Sequence, residues 1–478
     1  MDQTTVRDTV RGMWAGEILP SLSELVEIPA LSPAFDAKWQ DSGHLDAAVE
    51  HVRGWLNARD LPGASVDVVR LDGRTPVLLL DVPASEGAED MGTVLLYGHL
   101  DKQPPVGGWS DGLGPWTPVL RKGRLYGRGS ADDGYAGYAA TTALEAVRAA
   151  GGSHARAVVL LETGEESGSP DLPAYLDHLS DRLGEVSLVV CLDSGGNDYE
   201  RMWLTTSLRG MVQAHVTVRV LDSGQHSGLA SGIVPSSFRI MRVLLDRLED
   251  SATGEITVDG CNVEIPDDRR FEAKATADSA PGAIGGAFPL HGSTQTLTGD
   301  EYELLLNNSW RPTLSIIGAA GLPAPADAGN VLRDATTLAI SFRLPPTADS
   351  EAVLESVRQL LTTDVPYSAT VELGHLETAD GWNAPPAAPW LSKALDTVSD
   401  TVFGAPWRSV GLGGSIPFMG LLGEKYPQAQ FLVTGALGPD SNAHVPDEWL
   451  HIEQAQRVTE AVAVVLDAHA RAVGRQAT

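Results

Sequence analysis

The sequence predicts an α/β protein with a doubly wound parallel sheet, interrupted by an inserted α+β domain of ferredoxin-like order. Three observations carry this prediction. Four apolar runs, TVLLYG, AVVLLETG, SLVVCL and FLVTGA, each lead into a polar, glycine-containing segment, as buried central strands lead into loops. Helical and strand patterns alternate from residue 1 to about 207 and again from 384 to the end. Between these stretches the order becomes strand, helix, strand, strand, helix, strand.

In the first segment, 1–207, DTVRGMWAGEILPSLSELVEI and HLDAAVEHVRGWLNARD repeat their apolar residues at helical spacing, and SVDVVRL and PVLLLDV read as strands. YAGYAATTALEAVRAAGG is rich in alanine and stopped by glycines, so it predicts a helix that starts just after the turn GRGSADDG. The inserted domain, 208–383, contains the strands MVQAHVTVRVLD, TLSIIG, TTLAISFRL and SATVELGH and the helices SSFRIMRVLLDRLED and SEAVLESVRQLLTT. A polar, turn-rich insertion is expected near 251–312. The α/β pattern resumes over 384–478 with PWLSKALDTVSDTVFG, FLVTGA and a closing helix from IEQAQRV onward.

Composition excludes several classes. The chain has 478 residues, 63 acidic against 34 basic, for a formal charge of -29 with no long basic cluster. Nucleic acid and anionic membrane are therefore not expected partners. No apolar run reaches about 18 residues, so no membrane span is expected. The first 35 residues lack a basic start followed by an apolar core, and Cys191 and Cys261 are the only cysteines. Both features lead to an expectation of a cytoplasmic protein.

The chemistry concentrates where the predicted strands end. His99, the pair Glu165 and Glu166, Asp193 and His444 each follow one of the four apolar runs, and Asp132 lies in the glycine-rich turn GRGSADDG. In open α/β sheets the crevice outside the carboxyl ends of the strands collects residues distant in sequence, so these six are expected to converge. Imidazole and carboxylate donors together suit divalent cations. His99 and Asp101 are two apart at a strand end and leave on one face, which suits a ligand imidazole steadied by a neighbouring carboxylate.

YGHLDKQP, LYGRGSADDG, ETGEESGS, CLDSG and the late His444, in this order, resemble the signature of the M20 family of di-metal peptidases, in its dipeptidase or carnosinase-like branch. The resemblance runs from about Tyr97 to the C-terminus. It implies a zinc-peptidase-like catalytic domain carrying an inserted lid and dimerisation domain. It implies that Asp132 bridges two metals through its two oxygens, with His99 and Asp193 on one ion, Glu166 and His444 on the other, and a cis peptide between Asp132 and Asp133. It assigns Glu165 as the general base acting on a metal-bridged water and Asp101 as a catalytic neighbour of His99. Zinc is the expected metal, with manganese or cobalt as alternatives.

The same resemblance implies roles in the inserted domain. His226, in QHSG, corresponds to a histidine that reaches the active site of a partner subunit and polarises the scissile carbonyl, so a homodimer is expected. Arg343, in SFRLPP, corresponds to the arginine that binds a substrate carboxylate, a task for a planar fork of donors. GLGGSIP resembles the loop that contacts substrate through backbone and side chain, at Gly414 and Ser415. The chain differs from that branch in having Gly134 and Tyr135 after Asp133, and Lys102 where an apolar residue is usual. The expected reaction is metal-dependent hydrolysis of a dipeptide or short peptide with a free terminal carboxylate. The alternative is hydrolysis of an N-acyl or N-carbamoyl amino acid by the same centre, because both bonds are amides. A non-catalytic binding protein on this scaffold would be expected to lack a ligand or the base.

Overall fold

The computed structural model describes residues 1–414 and 417–472. The strands that organise it are, in chain order, β1 (Ser65–Val69), β2 (Val77–Val82), β3 (Thr93–His99), β4 (Arg156–Glu162), β5 (Val186–Cys191), β6 (Gly210–Arg219), β7 (Thr313–Ala320), β8 (Ala335–Leu344), β9 (Thr370–Ala379) and β10 (Gln430–Val433). The chain packs into two compact units, one of residues 1–205, 384–410 and 421–478, the other of 206–383 and 411–420. Segment 411–420, which the sequence assigns to the last catalytic stretch, thus packs with the second unit.

In the first unit a six-stranded sheet has the order β1-β2-β4-β3-β5-β10. β4, β3, β5 and β10 run parallel, while β1 and β2 form an antiparallel edge. The four parallel strands are the four apolar runs. Every residue of β3 is buried. Val94 and Leu96 on β3, Ala157, Val159 and Leu161 on β4, and Leu188 and Val190 on β5 all join one apolar cluster. Their alternates Leu95, Val158, Leu160 and Val189 are equally buried without belonging to that cluster. Side chains alternate along a strand, so both faces of the sheet are covered, as the continuous apolar runs require.

Helices Gln3–Met13, Ala136–Ala149, Pro389–Val398 and Ile452–Ala472 pack against one another within that cluster. Ala136–Ala149 crosses β3 at Gly98, where a Cβ would lie 2.7 Å from Cβ of Ala136 and 2.9 Å from Oδ2 of Asp133. Only glycine admits this approach, which sets the Asp132 turn beside the end of β3. Lys102 is buried and donates to the carbonyls of Leu25 at 2.7 Å, Val26 at 3.3 Å and Ile28 at 2.8 Å. It thereby gathers three carbonyls at the C-terminal end of helix Leu19–Glu27, adding a donor to those of Leu25 and Ile28, which also accept the N–H groups of Ile28 and Ala30, and this explains a lysine in an otherwise apolar setting.

The second unit holds an antiparallel sheet of order β7-β8-β6-β9, backed by helices Ser237–Leu245 and Ser350–Thr362. Numbered along the chain, this is the 4-1-3-2 arrangement of a ferredoxin-like βαββαβ unit. The region expected to be turn-rich near 251–312 instead contains helices Asp267–Ser279 and Glu301–Ser309. Helix Asp267–Ser279 hides from an apolar-periodicity reading because it is polar on most of its surface. It is supported by Asp267 and Asp268 in its first turn and by ion pairs Arg269–Glu272, at 2.7 Å, and Lys274–Asp278. Its apolar support is the small cluster Ile265, Leu306 and Trp310. Among the described residues no helix is long and apolar enough to cross a membrane.

Candidate metal centre

The carboxyl ends of β3, β4, β5 and β10 present His99, Glu165 and Glu166, Asp193, and the loop to His444. Asp132 arrives from the turn before helix Ala136–Ala149, and its peptide bond to Asp133 is cis. His99 Nε2 lies 3.3 Å from Asp132 Oδ1 and 3.8 Å from Asp193 Oδ2. His444 Nε2 lies 2.8 Å from Asp132 Oδ2 and 3.3 Å from Glu166 Oε2. The two oxygens of one carboxylate therefore face two different imidazoles. Two groups of donor atoms result, His99–Asp132–Asp193 and Asp132–Glu166–His444, each with its atoms within 4.8 Å of one another.

Glu165 and Glu166 are neighbours in a single 3-10 turn and point apart. Glu166 belongs to the second group, where Gln103 Nε2 donates to its Oε2 at 2.6 Å. Glu165 belongs to neither group, and its Oε2 stands 4.0 Å from His99 Nε2. The Asp101 carboxylate accepts the backbone N–H of Glu165 at 3.2 Å and of Glu166 at 3.0 Å, so it fixes the turn that offers both glutamates. The same carboxylate stands beside His99, as expected, with Oδ1 at 3.5 Å from Nδ1. His99 Nδ1 also faces the main-chain carbonyl of Asp101 at 3.0 Å.

Electrostatics tests whether these residues fit cations. Burial pushes Asp193 well above the usual carboxylate range, and Asp132 beside it adds to the rise. Burial with the Asp132 charge takes Glu166 up to about 10, and burial takes Glu165 up to about 7. Burial also opposes a charge on Asp132, yet hydrogen bonds from His444 and His99 hold it well below the usual range. Carboxylates are crowded here beyond what two imidazoles can neutralise, and the shortfall is positive charge. Nitrogen and oxygen donors in two groups sharing one carboxylate fit two divalent ions.

Beneath the glutamate turn, Tyr97 Oη donates to Glu162 Oε1 at 2.5 Å and Ser169 Oγ donates to the same oxygen at 2.8 Å. Arg128 and Glu448 form a buried ion pair that joins the Asp132 turn to the His444 loop. Gln103, Glu162, Arg128 and Glu448 were not singled out in the sequence, although each lies within four residues of a predicted site residue. Their signal was a polar residue inside or next to a motif, which spacing alone does not separate from a solvated one.

The remaining candidates belong to the second unit. His226 is exposed, pairs in a short strand with Val331, and accepts the Gly228 N–H on Nδ1 at 3.1 Å. Arg343 is partly buried on β8, directly between Met211 of β6 and Thr313 of β7. Gly414 is exposed, and Ser415 lies outside the described residues.

Comparison with known proteins agrees with this geometry. Residues 95–468 match the model of peptidase family M20/M25/M40. The chain is 26% identical over 437 residues to the cysteinylglycine-S-conjugate dipeptidase of Corynebacterium striatum, covering 88% of this chain and 90% of that protein. It is 26% identical to the Beta-Ala-His dipeptidase of Homo sapiens over 79% of this chain and 75% of that protein. The structure of the di-peptidase Dug1p from Saccharomyces cerevisiae superposes with a TM-score of 0.75 at 22% identity, covering 98% of this chain and 99% of that one. Human carnosine dipeptidase 1 gives 0.74 at 23% identity over 98% and 100%. A family match across most of the length, on a sheet whose strand ends gather two cation-binding groups around one aspartate, establishes that this chain belongs to peptidase family M20/M25/M40.

Proposed function

We infer that the protein is a metal-dependent dipeptidase, hydrolysing the amide bond of dipeptides or short peptides that carry a free terminal carboxylate. The observation that carries this reading is the division of labour around Asp132. Its two oxygens serve two donor groups, while Glu165 stands beside them with no place in either. His99, Asp132 and Asp193 would hold one divalent ion, and Asp132, Glu166 and His444 the other. When bound, two such ions supply Lewis acidity to a water and to the substrate carbonyl. With sets of three nitrogen and oxygen donors that leave a position for water, zinc is the proposed metal, with manganese and cobalt next.

Glu165 Oε2 takes a proton from the attacking water and returns it to the leaving amine. A carboxylate tuned upward by burial is suited to both transfers near neutral pH. Asp101 acts through the backbone, holding the two glutamates in register. The second unit is proposed as a lid and dimerisation domain. With Nδ1 of His226 engaged by Gly228, Nε2 carries the ring proton of the neutral tautomer and is the donor for a substrate carbonyl in a partner subunit. Arg343 and the backbone at Gly414 are proposed to bind the substrate carboxylate.

Hydrolysis of a mixed set of free dipeptides and N-acylated amino acids, followed by mass spectrometry with a chelated control, tests the reading. Metal-dependent cleavage of the free dipeptides is expected. Cleavage confined to the acylated set would replace it with the deacylase alternative.

A further inference from the structure

The ion pair between Arg128 and Glu448 is among the most deeply buried polar contacts of the described residues, with the two residues 1% and 0% exposed. Arg128 Nη1 donates to Glu448 Oε2 at 2.5 Å. The other carboxylate oxygen, Oε1, accepts the backbone N–H of Gly129 at 3.0 Å and of Ala131 at 3.3 Å. Return contacts run the opposite way: Arg128 Nη2 donates to the carbonyl of Val445 at 3.1 Å, and the Gly127 N–H donates to the carbonyl of Glu448 at 3.0 Å. Every one of these contacts joins the turn that ends in Asp132 to the loop that carries His444.

Burying a full ion pair is a poor way to gain stability, because desolvation of both charges offsets most of their attraction. The pair is better explained by what it aligns. Arg128 lies four residues before Asp132, and Glu448 lies four residues after His444. His444 itself sits at φ +65, with Asp440, Asn442 and Asp447 also in the left-handed region, so its loop is not a regular element that would hold a ligand by itself. His99 and Asp193, in contrast, stand at or next to the ends of β3 and β5.

We propose that Arg128 and Glu448 are positioning residues that set the placement of Asp132 and His444, and so govern affinity for the second of the two ions more than for the first. This rests on reading the two donor groups as metal sites. In the second group both Asp132 and His444 hang on the clamp. In the first, only Asp132 does.

Two variants separate this role from a purely structural one. Glu448→Gln preserves shape but offers one acceptor oxygen, so either Arg128 or the Gly129 and Ala131 N–H groups must face an amide donor. The double variant Arg128→Met with Glu448→Met removes both charges at similar length, an exchange that folded proteins commonly tolerate. Zinc bound per chain would be measured by atomic emission across a graded zinc buffer, together with thermal unfolding, using His444→Ala as the reference for a chain limited to the first group. The wild-type chain is expected to take up two ions. Both variants are expected to fold, to bind the second ion on the order of 10- to 100-fold more weakly, and to keep the first within a few-fold. Wild-type affinity for both ions in both variants would overturn the proposal, as would equal weakening of the two or failure to fold in the presence of zinc. A wild-type chain that binds no zinc would instead remove the metal-centre reading beneath it.

Discussion

Gln103 Nε2 donates at 2.6 Å to Glu166 Oε2, the same oxygen that faces His444 Nε2 at 3.3 Å. A carboxylate held from outside loses less freedom when it binds a metal, so the amide acts on affinity without touching the ion. Gln103→Met is expected to weaken the second ion by roughly tenfold or more while the first is unaffected. Isothermal titration with zinc checks this, and two unchanged affinities would show that the contact is incidental.

Glu165 offers the sharpest test of the chemistry. Glu165→Gln removes the proton acceptor and leaves both donor groups intact, so the variant should retain two ions and lose about a hundredfold or more in kcat. Steady-state kinetics on a free dipeptide, with metal content measured on the same sample, decides it. Turnover near the wild-type rate would remove Glu165 from its role.

Tyr135, one of the residues that differ from the dipeptidase branch, has a structural task. Its buried hydroxyl donates to the Leu192 carbonyl at 2.6 Å and accepts the Ala436 N–H at 2.9 Å, tying the end of β5 to the end of β10. Tyr135→Phe leaves both backbone groups without this partner and should cost about 1–3 kcal/mol. Denaturant unfolding of the metal-free protein measures the loss.

His469 predicts an acid limit to stability. Burial pushes it down to about 4 from 6.5, with Nε2 facing Ser187 Oγ at 3.1 Å. Because the folded value lies below the unfolded one, the unfolded chain binds more protons between those two pH values. The contribution is whole above about pH 6.5 and is lost as pH falls toward 4. In His469→Gln the pH dependence should be shallower by up to ~1.4 kcal/mol per unit across that window. Parallel curves for variant and wild type would assign the acid sensitivity elsewhere.

Legibility in the sequence followed the physics of each element. β3, β4, β5 and β10 were readable because a strand buried on both faces must be apolar at every position, and His99, Glu165, Asp193 and His444 were readable because chemistry collects where such strands end. Helix Asp267–Ser279 was not, since ion pairs and a first-turn acidic pair leave no apolar stripe. The second task of the Asp101 side chain was not readable either: periodicity tells which face it leaves from, beside His99, whereas its two acceptor contacts depend on a turn more than sixty positions away. Glu448 and Arg128 were invisible for the same reason, because a buried charge pair separated by most of the chain has no local signature.

The sheet order has a consequence for how the centre comes into being. A ribosome delivers His99, Asp132 and Asp193 in the first half of synthesis, together with β3, β4 and β5, whereas β10 and His444 emerge only after the whole second unit has been made. The nascent protein thus has all three donors of one cation group long before the other group gains its last, His444, and domains fold as they emerge. Uptake of metal by arrested chains of increasing length should therefore come in two separate steps, the first ion serving as a folding ligand for a sheet that lacks only its last strand and the second marking the moment the molecule becomes an enzyme.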